Sequence, residues 1–239
     1  MIPVIAVASR VPDPKREPYY RFPEFLRSVR RFGNEPIILG NKGDYHGLLS
    51  RGKLLRNHLR EHPEYDWVIW SDAFDVIFIQ SPEFIVKQAK ETGSPTCINT
   101  ERNCWPRQDW AVHFNQSEPY PYLNTGFIVG KARAILELLE ESNCENDVDY
   151  KGPDGKWVHF SEQENIMEAA IKRNFRDIHL DTKGEICLTL VGAPDDEVAV
   201  YENRIYNVHR CNWPSVVHCN GSKSNPNWER TLKWFESIP

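Results

Sequence analysis

The sequence predicts a single α/β domain over residues 1–239, with a mostly parallel, twisted central sheet flanked by helices. Three observations carry this. Residues 2–8 are an unbroken apolar run, the pattern of a parallel strand buried on both faces. Helix-period and strand-like segments then alternate as β-α-β-α-β, which calls for right-handed crossovers. A third apolar run, Trp67-Val68-Ile69-Trp70, ends at Ser71 and is followed at once by two carboxylates, Asp72 and Asp75. In open α/β sheets that carboxyl edge is where ligands bind.

The elements follow in order. Phe22, Phe25, Leu26, Val29 and Phe32 recur at helical spacing, and Gly33 stops that helix. Residues 36–39 are a short strand, and the glycines at 40, 43 and 47 make the next segment a loop. A helix is expected over 48–62, with Leu48, Leu55 and Leu59 on one face. Residues 76–79 are a second apolar run after the carboxylate turn. Ser81 caps a helix with Pro82 at its first position. Residues 95–99 are a strand, and 100–121 are irregular and rich in Pro, Trp and Tyr, a loop length that is usually functional. Residues 123–130 are a strand with a glycine that lets another group approach its backbone. Helices are expected over 132–141 and, capped by Ser161, over 162–173. Residues 143–158 form a polar surface loop. Short strands are expected over 177–180, 185–191, 198–201 and 214–219, and a terminal helix over 227–237.

Composition narrows the function. The net charge is −5 without a long Lys/Arg run, which argues against a nucleic-acid surface. No stretch approaches the length of a membrane span, and residues 1–8 lack a basic leader. The chain is expected to be cytoplasmic as written, or a lumenal domain excised from a longer one. Six cysteines include no C-x-x-C pair, so a zinc site is not expected. Eight tryptophans lean towards a carbohydrate or nucleotide ligand.

Asp72 and Asp75 repel each other unless a cation lies between them. Hard oxygen ligands suit Mg²⁺ or Mn²⁺, ions that also hold substrate phosphates. The same residues also suit an acidic turn that merely ends a strand. His218 ends a strand and precedes Asn220-Gly221, a tight turn whose amides, with Lys223, can cradle a diphosphate. Lys53, in a helix after a glycine loop, is placed to reach a phosphate, or is a solvated lysine. Glu162 is placed to orient an acceptor hydroxyl or take its proton, or is an acid favoured at a helix start.

Taken together these pieces resemble the glycosyltransferase domain of the procollagen lysyl hydroxylases and its stand-alone viral and microbial relatives. The resemblance rests on Val4-Ile5-Ala6-Val7-Ala8-Ser9, Gly52-Lys53-Leu54-Leu55, Trp70 to Phe78, Cys104-Trp105-Pro106, Tyr122 to Ile128, Glu162-Gln163, Leu180-Asp181 and His218-Cys219-Asn220-Gly221. It implies a GT-A fold, a UDP-sugar donor, and Mn²⁺ (or Mg²⁺) held by Asp72, Asp75 and His218. It places Phe74 against the uridine, and Ser9, Lys53, Asn220, Gly221 and Lys223 near the nucleotide or diphosphate. Asn124 and Thr125 fall on the sugar side. Where the family shows an acidic D-D-Q run, this chain has Ser161-Glu162-Gln163. The expected reaction moves a hexose, glucose or galactose, to a hydroxyl on a protein or glycan. The alternatives are a metal-dependent nucleotidyltransferase or UDP-sugar hydrolase, and a non-catalytic UDP- or glycan-binding protein.

Overall fold

The computed structural model describes residues 1–8, 21–40, 48–142, 150–151, 157–158, 161–221 and 225–238. The first strand, β1 (Val4–Val7), is buried throughout. Its neighbours in sequence are α1 (Phe22–Arg30), β2 (Ile37–Leu39) and α2 (Leu48–Glu61), followed by β3 (Trp67–Ser71), β4 (Val76–Phe78), α3 (Pro82–Glu91), β5 (Thr96–Glu101) and β6 (Tyr122–Lys131). Then come α4 (Ala132–Glu141), β7 (Tyr150–Lys151), β8 (Trp157–Val158), α5 (Glu162–Lys172), β9 (Ile178–Leu180), β10 (Cys187–Thr189), β11 (Val198–Tyr201), β12 (Arg204–Asn207), β13 (Val216–His218) and α6 (Pro226–Ser237).

The main sheet runs β2-β1-β3-β6-β5-β9. Its pairings are parallel except the two made by β6, which is antiparallel to both neighbours. Alternation along the strands sends side chains to two apolar layers. Val4, Ala6 and Ile69 pack with Phe25 and Val29 of α1 and Ile85 of α3. Ile5, Val68 and Trp70 pack on the other face with Leu55 and Leu59 of α2, Leu138 of α4 and Ile166 of α5. Each fully buried side chain of this kind contributes roughly 1.5–3 kcal/mol.

A second sheet, β10-β13-β4, leaves the first just beyond the carboxylate turn. The apolar run after Asp75 therefore does not extend the central sheet; β4 pairs antiparallel with β13, with Val76 opposite His218. Both helix caps expected from sequence form: Ser81 Oγ accepts from Phe84 N at 3.2 Å and Ser161 Oγ from Glu164 N at 3.3 Å.

Some local expectations shift. The strand expected over 95–99 runs on to Glu101, through an irregularity between Ile98 and Thr100. The irregular stretch after it contains a short 3-10 helix at Gln108–His113. The strand β12 has no counterpart in the sequence reading. It pairs with β11 across Glu202 and Asn203, whose positive φ values of 48° and 56° make a hairpin turn without glycine. The expected loop over 143–158 falls largely outside the described residues; within it, β7 and β8 pair antiparallel. Among the described residues, no helix is long and apolar enough to cross a membrane.

Candidate active site

The seam between the two sheets brings Asp72, Asp75 and His218 together. Asp72 continues the β3–β6 ladder, its amide donating to Gly126 O at 2.8 Å, while the amide of Cys219 donates to Asp75 O at 2.8 Å. One carboxylate is thus held by each sheet, and His218 arrives on β13 beside both. Its Nε2 lies 3.5 Å from Asp72 Oδ2 and 3.6 Å from Asp75 Oδ1. One ligand atom from each of the three residues lies within 4.8 Å of the other two.

The charges respond to this crowding. Burial pushes both carboxyls up. Arg51, with His218, reverses this for Asp72 and holds it below the usual range. For Asp75 burial and the Asp72 charge prevail over His218, and it stays above the usual range. Burial lowers His218, but Asp75 and Asp72 outweigh it and lift it to about 10. Positive charge beside the carboxylates is therefore favoured.

Two observations test whether a divalent ion suits these residues. The Nε2 of His218 is buried and has no hydrogen-bond partner, although it faces two carboxylates. On the far side stands Gly126, where an added Cβ would fall 2.8 Å from both Asp72 Oδ2 and His218 Nε2. The backbone has been kept clear of the point where the three side chains meet. A mixed nitrogen and oxygen set with two carboxylates fits Mn²⁺ or Mg²⁺.

This cluster borders a cavity of about 660 Å³ that Glu101, Trp105, Asn124, Glu162, Asn220 and Gly221 also line. That size suits a nucleotide-sized ligand. Glu162 is 1% exposed; its Oε1 pairs with Arg51 Nη1 at 2.7 Å and accepts from Thr125 Oγ1 at 3.2 Å. The other oxygen, Oε2, has no partner. Burial raises the Glu162 carboxyl against the pull of Arg51. Arg51 also pairs with Asp72 through its second amino group, so one guanidinium bridges the Asp72–Asp75–His218 cluster and the α5 acid.

Glu101, at the end of β5, gathers three amides. Its Oε1 accepts from Asn124 Nδ2 at 2.8 Å and Gln163 Nε2 at 3.3 Å, and its Oε2 from Asn220 Nδ2 at 2.9 Å. Asn124 in turn accepts the Gly126 amide at 2.8 Å. The β6 segment, the start of α5 and the turn after β13 are therefore tied to one buried carboxyl, which burial raises.

Of the residues singled out from sequence, Asp72, Asp75, His218, Asn124, Glu162, Asn220 and Gly221 line this cavity. Lys53 and Phe74 are not among its lining residues. Phe74 packs edge-on against Phe22 at 5.9 Å, at the margin of the α1 core. Ser9 and Lys223 lie outside the described residues. Arg51 and Glu101 were missed. Arg51 had a signal: it is three residues after Leu48 and four before Leu55, so helical spacing sets it beside both on α2. Glu101 had only its place beyond a strand's carboxyl end.

Residues 2–227 match the model of the PLOD GT domain family. The chain is 28% identical over 238 residues to human multifunctional procollagen lysine hydroxylase and glycosyltransferase LH3, covering 91% of this chain and 29% of that protein. It is 26% identical over 222 residues to the procollagen-lysine,2-oxoglutarate 5-dioxygenase of Drosophila melanogaster, covering 86% and 29%. The chain thus spans less than a third of the length of these curated relatives. Among solved structures it is similar to a glycosyltransferase involved in glycosylation of the major capsid of PBCV-1, with a TM-score of 0.53 at 14% identity over 98% of each chain. It is also similar to the galactosyltransferase LgtC in complex with donor and acceptor sugar analogs, with a TM-score of 0.52 at 12% identity over 99% of this chain and 96% of that one. At these identities the two structures share its fold, that of the GT-A glycosyltransferases.

Proposed function

Since the chain belongs to the PLOD GT domain family and is a glycosyltransferase, we propose that it moves a hexose from a UDP-sugar to an acceptor hydroxyl, with Mn²⁺ or Mg²⁺ as cofactor. The proposal takes residues 1–239 as one such domain. The observation that carries it is the convergence of Asp72, Asp75 and His218 at the edge of a cavity of about 660 Å³.

In the transfer, the anomeric carbon loses its bond to the diphosphate oxygen and gains one to the acceptor oxygen, whose proton passes to Glu162 or to the departing diphosphate. Charge grows on the leaving diphosphate as the sugar takes on oxocarbenium character. Asp72, Asp75 and His218 would hold a divalent ion, which when bound would neutralise charge on that leaving group. Arg51 adds a fixed positive charge beside Asp72. Asn220 and Gly221, with Gly221 at φ +67°, line the cavity and are suited to offer backbone amides to an anion. Glu162 Oε2 is buried without a protein partner and is suited to accept a hydrogen bond from a sugar or acceptor hydroxyl. Glu101 holds Asn124 and Asn220 in place against the substrate. The hydroxyl acceptor is carried by a protein or a glycan.

The test is UDP release from UDP-glucose, UDP-galactose and UDP-N-acetylglucosamine with Mn²⁺, with the transferred or freed sugar identified. One donor should stand out, and Asp75→Ala should lower its rate by at least about a hundredfold. Full ion-stimulated activity in both Asp72→Ala and Asp75→Ala would rule the mechanism out. Release of a nucleoside monophosphate in place of UDP would move the reaction to nucleotidyl transfer.

A further inference from the structure

A histidine that ligates a metal through Nε2 must carry its remaining proton on Nδ1, and that proton needs an acceptor. In this chain the residue behind His218 is Asn99, on β5, itself 1% exposed. Its amide Nδ2 lies 3.5 Å from His218 Nδ1 and 3.2 Å from Cys187 Sγ on β10, while Asn99 Oδ1 has no hydrogen-bond partner among the described residues. This arrangement uses the amide poorly. It sets a donor against the ring nitrogen, so that a proton on Nδ1 finds no acceptor there.

The two faces of a primary amide fill the same volume, so a half-turn about its last torsion costs no packing. After that half-turn Oδ1 stands where Nδ2 does now. There it meets two donors, the Nδ1–H of His218 and the S–H of Cys187, a thiol whose burial keeps it protonated. A carbonyl oxygen has two lone pairs and can serve both.

We propose that Asn99 is a positioning residue for the metal centre: its carbonyl oxygen, shared with the Cys187 thiol, holds the proton of His218 on Nδ1 and leaves Nε2 free to bind the ion. This rests on the reading of Asp72, Asp75 and His218 as metal ligands. No signal in the sequence marked Asn99, which sits inside an apolar strand, two residues before Glu101. Its role depends on β5 and β13 lying on either side of β10, close enough for an asparagine of one sheet to reach a histidine of the other.

The experiment is Mn²⁺ binding by titration calorimetry without donor sugar, on the whole 239-residue chain and three variants, beside the ¹⁵N shifts of the imidazoles in Mg²⁺-loaded protein. Asn99→Leu keeps the volume but offers no acceptor, and should weaken Mn²⁺ binding by about 10- to 100-fold. Asn99→Asp keeps an acceptor and should bind at least as tightly as the unmodified chain. His218→Ala reports on the metal reading itself. The Mg²⁺-loaded chain should show Nδ1 as the protonated nitrogen of His218. If Asn99→Leu binds Mn²⁺ like the unmodified chain while His218→Ala does not, the role of Asn99 is overturned and the metal site stands. If the unmodified chain binds no Mn²⁺, both fall. Should Asn99→Leu fail to fold, Asn99→Asp decides in its place, and Mn²⁺ binding weaker than that of the unmodified chain overturns the proposal.

Discussion

Gly126 and His218 meet so closely that a Cβ built on Gly126 would fall 2.1 Å from Cε1 of the imidazole. Glycine here is dictated by a side chain from the other sheet and not by any turn of its own backbone. Gly126→Ala should push His218 and Asp72 apart from their present places. The expected cost is about 1–3 kcal/mol of stability and at least about a tenfold loss of Mn²⁺ affinity. Urea unfolding and calorimetry measure the two. Wild-type values in both would show that the cluster has room to spare.

Arg51 bridges Asp72 and the buried Glu162, so removing it strands a charge. Arg51→Leu should destabilise the fold by about 3 kcal/mol, the usual consequence of breaking a buried pair from one side. Neutralising the acid as well, in Arg51→Leu with Glu162→Gln, should recover part of that loss. A double-mutant cycle by chemical denaturation should give a coupling of about 1 kcal/mol or more. Strict additivity would mean that the bridge contributes no stability.

Chelation should abolish UDP release, and added Mn²⁺ should restore it. An ion that binds only the folded chain should also raise the unfolding free energy, by about 2.7 kcal/mol at a hundred times its dissociation constant. His218→Ala should lose that stabilisation. A thermal midpoint indifferent to Mn²⁺ in the unmodified chain would contradict the metal site without any appeal to activity.

Asp181 is 4% exposed and accepts three backbone amides, from Glu185 at 2.9 Å, Ile186 at 2.9 Å and Cys187 at 2.7 Å. These bonds shape the turn that launches β10. Asp181→Asn puts an NH₂ against at least one of them and should cost about 1–3 kcal/mol. Burial lifts the Asp181 carboxyl to about 7 against the pull of the three amides. An acid with a raised folded pKa keeps its proton longer in the folded than in the unfolded chain. Its contribution to stability is therefore greatest below the unfolded value of about 4, falls as pH rises to about 7, and is flat above. The difference in unfolding free energy between wild type and Asp181→Asn, followed from pH 4 to 8, should show that slope. A flat difference would place the carboxylate in its ionised form throughout.

Much of the architecture was open to a reader of the chain because it is written in short-range periodicity. Val4 to Val7 alternate between two cores, and the apolar run shows it. Ser81 and Ser161 announce helices that begin one residue later. The antiparallel course of β6, the departure of β4 into a second sheet and the Glu202-Asn203 hairpin are not written in this way. They follow from pairing choices that many local patterns allow. The same holds at the site. The i, i+3 spacing of Asp72 and Asp75 is local and visible, and so is the helical spacing of Arg51 with Leu48 and Leu55. Asn99 looks like an ordinary strand residue and Glu101 like an ordinary loop acid until other elements bring their partners.

By itself, then, the sequence determined the elements, their order and a pair of carboxylates at a strand's carboxyl end, because these depend on neighbours along the chain. Only the tertiary structure decided what surrounds that pair. His218 comes beside it through the β4–β13 register, Gly126 stands clear of it on β6, Arg51 turns onto it from α2, and Glu101 draws the amides of Asn124, Gln163 and Asn220 to one carboxyl. Such convergence is set by how sheets and helices pack, and packing unites residues that no local pattern relates.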